Sequence, residues 1–223
     1  MTGPDGGLTL SLDTSTVVNV GLARGSVVLA TAGVDDRMAH VEQLTPLIKQ
    51  CMDSVGVTMA DLNRVVVGLG PGPFTGLRVG IVTAQVLASA LHLDFRGVCS
   101  LDVLAAQFGP GHRSEFVVAT DARRREVYWA RYDADGRRVG GPYVGAPDTL
   151  PALPTIGPAT DLLPDLETAV AGPRRLDAGV LAAQGWTLPD AGREPLYLRR
   201  PDAAEPTRRK SVLHHSSRVP GPR

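Results

Sequence analysis

The chain has 223 residues, 43% of them apolar, enough for one or two small domains with buried cores. Its 23 Lys and Arg balance 23 Asp and Glu, so no net field draws it to nucleic acid or to a membrane surface. Two cysteines without a CxxC spacing give no zinc motif and read as reduced core thiols, no run reaches the length of a membrane-crossing helix, and the opening MTGPDGG lacks the layout of a signal peptide, so a cytoplasmic protein is expected.

Leu8 to Asp13 (LTLSLD) reads as a strand. Thr16 to Ala23 and Ser26 to Ala32 follow as a hairpin around Arg24-Gly25. A helix is expected from about His40 to Val55, with Val41, Leu44, Ile48, Cys51, Met52 and Val55 at helical spacing. Pro46 suits a first turn, so the helix either begins near Thr45 or bends there. Leu47 is read as lying off that stripe, which predicts a second, partly apolar surface. Ala60 to Asn63 reads as a helical turn and Val65 to Leu69 as a strand.

The run from Gly68 to Gly80, GLGPGPFTGLRVG, joins this strand to a helix expected over Leu77 to Leu91. Glycines allow positive φ and close backbone approach, and a helix N-terminus offers unpaired N–H groups. Two readings stand side by side: a cradle for an anion, or a rigid elbow that presents Phe74 and Arg78 to a partner. A further strand is expected at Asp94 to Val98, then a short helix through Ala106 with Ser100 as N-cap. The order βββαβαβα argues for a mixed sheet with helices on its faces.

Phe108 to Arg113 (FGPGHR) reads as a boundary between residues 1–107 and 108–198. The second half also opens with three strands: Glu115 to Thr120, then Glu126 to Tyr132 and Arg137 to Val144 as a hairpin. Asp121 to Arg124 is the turn between the first two. The Pro- and Gly-rich stretch from 145 to 173 holds a short strand, Thr155 to Gly157, and Leu176 to Gln184 is a last helix. Residues 199–223 lack the apolar content to bury themselves and are expected to be disordered.

Four runs carry a resemblance. Leu10 to Thr16 (LSLDTST), His40 to Ile48 (HVEQLTPLI), Gly70 to Gly80 (GPGPFTGLRVG) and Asp121 to Tyr128 (DARRREVY) resemble, in order and spacing, the opening strand, the HxExLxPxI helix, the GPGSFTGLRIG loop and the DARRxEVY turn of the bacterial TsaB (YeaZ) proteins. The resemblance covers roughly residues 8 to 132, with Pro195 to Leu198 a weaker match. It implies an α/β fold of the two-lobed actin/Hsp70/sugar-kinase (ASKHA) type, with βββαβα lobes and a shortened second lobe. It further implies a non-catalytic scaffold and activator in the formation of threonylcarbamoyladenosine beside the anticodon of tRNAs that read codons beginning with A. The implied partners are a TsaD-like catalytic paralogue, a TsaE-like ATPase and tRNA through the complex; the two-sided apolar helix from His40 to Val55 adds a homodimer in isolation, and the composition gives no membrane partner. One departure is Pro73, where the family usually has serine, and the loss of a hydroxyl and an N–H weakens the anion reading.

Candidate sites follow from residues and resemblance together. At Asp13, Thr14 and Ser15, active members of the fold meet metal and phosphate, whereas the plain reading is a capped turn. The catalytic paralogue holds a metal through a His-x-x-x-His pair, and here Ser100 and Leu104 occupy the matching positions. A leucine cannot ligate, so no metal and no catalytic residue is expected, and ATP is expected only weakly or at a joint interface with the partners. The predicted partner face is His40, Leu44, Leu47, Ile48 and Cys51. The glycine loop contributes Gly70, Gly72, Phe74, Thr75, Gly76 and Arg78. Arg123, Arg124 and Arg125 are either a solvated hairpin tip or a tRNA phosphate contact. The competing function is a nucleotide-dependent transferase or glycoprotease-like metallo-hydrolase with its own interlobe site.

Overall fold

A computed structural model describes residues 6–34, 41–109 and 114–199. Its first sheet has five strands in the order β3-β2-β1-β4-β5, formed by β1 (Leu8–Asp13), β2 (Asn19–Arg24), β3 (Val27–Gly33), β4 (Leu62–Gly68) and β5 (Asp94–Val98). The meander β1 to β3 is antiparallel, and β1–β4 and β4–β5 are parallel. The second sheet runs β8-β7-β6-β9, from β6 (Phe116–Arg123), β7 (Glu126–Tyr132), β8 (Arg138–Gly145) and the two-residue β9 (Thr155–Ile156). The helices are α1 (Leu44–Val55), α2 (Phe74–Leu91), α3 (Ser100–Phe108) and α4 (Ala178–Gln184).

Alternation along β1 divides the molecule. Leu8, Leu10 and Leu12 point to one face with Val65 and Val67, where Leu44, Leu47, Ile48 and Cys51 of α1 and Leu77, Ile81 and Ala84 of α2 complete a core. On the other face Ser11 donates to Ala178 O at 2.5 Å, and α4 packs across β1 to β4. A second core joins Val66 of β4 to α3, α4 and the second sheet through Leu101, Leu104, Phe116, Val118, Tyr132 and Leu181. The helix α3, placed before the expected boundary, therefore packs on β6 and β7 as well as following β5.

Several sequence expectations need correction. Leu44, Leu47, Ile48 and Cys51 are all buried, at 1, 7, 2 and 1% exposure, so none of them offers a partner a free apolar face. Leu47 lies three residues after Leu44 and four before Cys51. It belongs to the same stripe, which is broad enough to hold all four against the sheet. His40 lies outside the described residues, as does the tail from 200 onward. Ser100 is not the N-cap of α3. Cys99 holds that position, and the Ser100 hydroxyl points elsewhere. The helix α2 starts at Phe74, earlier than expected, because Pro73 with extended backbone serves as its N-cap. It also matches a membrane-crossing helix in length and composition, at 18 residues and mean hydropathy 1.4, although Leu77, Gly80, Ile81, Ala84 and Ala88 are buried in the protein. The strand β6 continues to Arg123, which moves the turn expected at Asp121 to Arg124 onto Arg124-Arg125.

Candidate functional site

Asp13 ends β1 and has no exposed surface. Its Oδ1 accepts the Ser15 N–H at 2.9 Å and the Ser15 hydroxyl at 2.7 Å, and its Oδ2 accepts the Ser100 hydroxyl at 2.6 Å. The Ser100 Oγ in turn accepts the Gly70 N–H at 3.1 Å. Burial pushes the Asp13 carboxyl above its ordinary range, against the pull of the Ser100 and Ser15 hydrogen bonds. Thr14 and Ser15 are also buried, and the Thr14 hydroxyl donates to Gly76 O at 2.8 Å. The polar atoms singled out for a metal or phosphate are thus bonded to one another and to the loop behind them.

The glycine loop explains why they fit. A Cβ on Gly72 would lie 2.6 Å from Ser15 O, and one on Gly76 would lie 2.9 Å from Thr14 O. The close approach that glycine permits is made by the chain's own first turn. Gly70, with φ of +92°, turns the backbone into the loop by a conformation that a side chain rarely adopts. Phe74 and Arg78, one helical turn apart on α2, face the segment that ends the described chain. Phe74 stacks on Tyr197 with ring centroids 4.6 Å apart, the Arg78 guanidinium lies 4.0 Å from the Phe74 ring centre, and its Nε donates to the Tyr197 hydroxyl at 3.0 Å. Leu196 N donates to Leu69 O and Ala191 N to Gly97 O, both at 2.8 Å, so residues 191–197 run as a strap along the first lobe. Thr75 is exposed beside them.

The second lobe meets this strap at the tip between β6 and β7. Arg123, Arg124 and Arg125 have φ of 60, 55 and 62°, three successive left-handed conformations in residues that carry side chains. Asp121 Oδ1 accepts the Arg123 N–H at 2.7 Å and steadies the entry. Arg199 pairs with Glu126, and its NH2 donates to Arg123 O at 3.5 Å. Between the lobes lies a cleft of about 210 Å³, lined by Gly72, Pro73 and Phe74, by Asp121 to Arg124 and Tyr128, and by Tyr197 to Arg199. The structure therefore brings the glycine loop and the arginine tip together, while Asp13 to Ser15 lie behind the loop and the buried residues of α1 belong to the core on the far side of the sheet.

Sequence reasoning missed three features. The Ser100–Asp13 bond joins residues 87 apart and leaves no local trace. The Phe74–Tyr197 stack was signalled only by the match at Pro195 to Leu198. The third is a buried cluster at α3. Asp102 Oδ1 accepts the Tyr132 hydroxyl at 2.8 Å and lies 3.0 Å from Arg138 Nε, tying α3 to β7 and β8. Burial raises the Asp102 carboxyl, with the charge of Arg138 opposing it. The same burial lifts the Cys99 thiol to about 12, and that of Cys51 to about 11, so neither is an activated nucleophile.

Comparison with known proteins adds three kinds of likeness. Residues 36–165 match the family model described as TsaD, tRNA N6-adenosine threonylcarbamoyltransferase. An uncharacterized protein of Mycobacterium tuberculosis is 45% identical over 204 residues, 87% of this chain and 92% of that one. The tRNA threonylcarbamoyladenosine biosynthesis protein TsaB of Escherichia coli is 36% identical over 97 residues, 43% of this chain and 42% of that protein. Among solved structures, an uncharacterized protein with similarity to peptidase YeaZ, from Pseudomonas aeruginosa, superposes with a TM-score of 0.71 at 27% identity, covering 86% of this chain and all of that one.

Proposed function

The chain belongs to the TsaB (YeaZ) family, and on that premise we propose that it has a two-lobed fold of the actin/Hsp70/sugar-kinase type and is a non-catalytic subunit that binds and activates a TsaD-like catalytic subunit in forming threonylcarbamoyladenosine on tRNA. One observation carries the reading. The carboxylate that would meet metal or phosphate, Asp13, has both oxygens taken up by Ser15 and Ser100 within a fully buried turn. Leu104 fills the second ligand position and is likewise buried. Admitting a cation or phosphate there requires breaking three hydrogen bonds in a site without water access.

The partner face moves with the correction to α1. On α2, Val82 and Val86 are 54 and 58% exposed, one turn apart and in line with Arg78. Two exposed valines on the first lobe's outer helix suit a helix-to-helix contact, and the same face serves a second copy when the catalytic subunit is missing. A TsaE-like ATPase joins the assembly elsewhere.

The test is co-purification with the TsaD-like subunit, followed by a tRNA modification assay with and without this chain. Modification should depend on the chain, and Val86→Asp, at an exposed position, should stay folded by circular dichroism yet lose both binding and activation. Modification that proceeds equally without the chain overturns the reading. So does one equivalent of iron or zinc retained by the tag-free protein after dialysis against chelator, which would favour a metallo-enzyme.

A further inference from the structure

The cleft between the lobes has a makeup that the scaffold role does not use. Aromatic rings from three elements, Phe74, Tyr128 and Tyr197, line it together with the arginines Arg123, Arg124 and Arg199. We infer that this cleft holds one nucleotide of a single-stranded RNA segment, with its base against the aromatic rings and its flanking phosphates on the arginine tip. This rests on the tRNA-modification reading only in naming RNA as the polymer.

Three observations favour it. First, the tip breaks the rule for its own turn. A two-residue hairpin with positive φ at both positions calls for Asn-Gly or a similar pair, because side chains are strained there. Arginine stands at both, and at the preceding residue as well. A sequence that keeps three charged side chains where glycine would be more stable is serving something other than the turn. Second, planar rings beside guanidinium groups are the combination that takes up unstacked bases and their phosphates, whatever the base. Asp121 sits in the same cleft, with one oxygen bonded to the Arg123 N–H. Third, about 210 Å³ is less than the roughly 300–1,000 Å³ of sites that enclose a drug-sized molecule. It suits a single base with the rest of a strand outside, and is small for a whole nucleoside triphosphate.

The experiment uses the full chain alone and a fluorescein-labelled oligoadenylate, titrated by anisotropy at several salt concentrations. The same oligoadenylate paired with oligouridylate, and ATP as competitor, are the other arms. The single strand should bind with a log–log salt slope of about −2, from three arginines at roughly 0.7 each. The double variant Arg123→Gly, Arg124→Gly suits the positive φ and should fold at least as well as the parent. Its slope should fall to about −0.7. Phe74→Leu should weaken binding on the order of tenfold with the slope unchanged, since it removes stacking and no charge. Unaltered binding by the double glycine variant overturns the inference, as does a duplex held as tightly as the strand. ATP that binds with the same dependence on the arginines while oligoadenylate does not would make the ligand a free nucleotide and overturn it too. No catalytic subunit is present, so failure here leaves the activator reading standing on its modification assay.

Discussion

Each lobe opens with a strand that carries an aspartate at or near its end, and the two aspartates make the same local bond. Asp13 Oδ1 accepts the N–H of Ser15, and Asp121 Oδ1 accepts the N–H of Arg123, each two residues on. The surroundings differ completely. Asp13 is sealed beneath the glycine loop with Thr14 and Ser15 beside it, and the side chains that bond to it, Ser15 and Ser100, are uncharged. Asp121 lies in an open cleft and leads into three arginines with left-handed backbone. One of the two turns lies in the core, and the other faces a cleft with arginines beside it. The same backbone device thus serves cohesion in the first lobe and presentation in the second.

The sharpest way to break this comparison is to remove each carboxylate. Asp13→Ala leaves the Ser15 N–H and two buried hydroxyls without their acceptor and should cost about 2–3 kcal/mol in denaturant unfolding. Asp121→Ala, at a solvent-facing cleft, should cost no more than about 0.5 kcal/mol. Equal losses would mean that the two turns are equally structural. Next in size is Gly76→Val, which drives a branched side chain toward Thr14 O and should destabilise by on the order of 1–3 kcal/mol through strain. An unchanged melting temperature would show that the loop yields freely and is not locked to the first turn.

The smallest effect is a pH dependence. Burial raises the Asp13 carboxyl above its ordinary value of 3.8, so protonation favours the folded state. The stability it contributes is full below 3.8 and is lost as pH rises through the folded value. Asp13→Asn keeps an acceptor for Ser15 and does not titrate. Relative to this variant the parent should therefore gain stability as the solution is acidified toward pH 4. A constant difference across that range would show that Asp13 ionises as easily in the folded chain as in the unfolded one.

Much of the fold was legible because it is written in short-range pattern. The strands β1, β5 and β7 appear at the residues that alternation and β-branching marked, and the first-lobe order of strands and helices follows. The misreadings came where a distant partner decides the outcome. Ser100 has the chemistry of an N-cap, but a carboxylate 87 residues earlier takes its hydroxyl. Leu47 looked surplus because the stripe was drawn too narrow, and a helix lying against two strands buries a broader arc. The candidate site was half visible. Its glycine loop and arginine tip stood out as motifs, but their meeting across one cleft depends on a strap whose only sequence mark is Pro195 to Leu198.

The placement of α4 has a consequence for the order in which the protein can form during translation. The first sheet's second face is covered by a helix encoded near the end of the described chain, and Ser11 bonds to Ala178, 167 residues later. When β1 to β5 emerge from the ribosome they can settle α1 and α2 on one side, but α4 cannot close the other side until residue 184 is free of the exit tunnel. Between the completion of β5 at residue 98 and that of α4 at residue 184 the nascent chain therefore displays a sheet clad mainly on one side, the kind of surface that chaperones hold and that aggregates nucleate on.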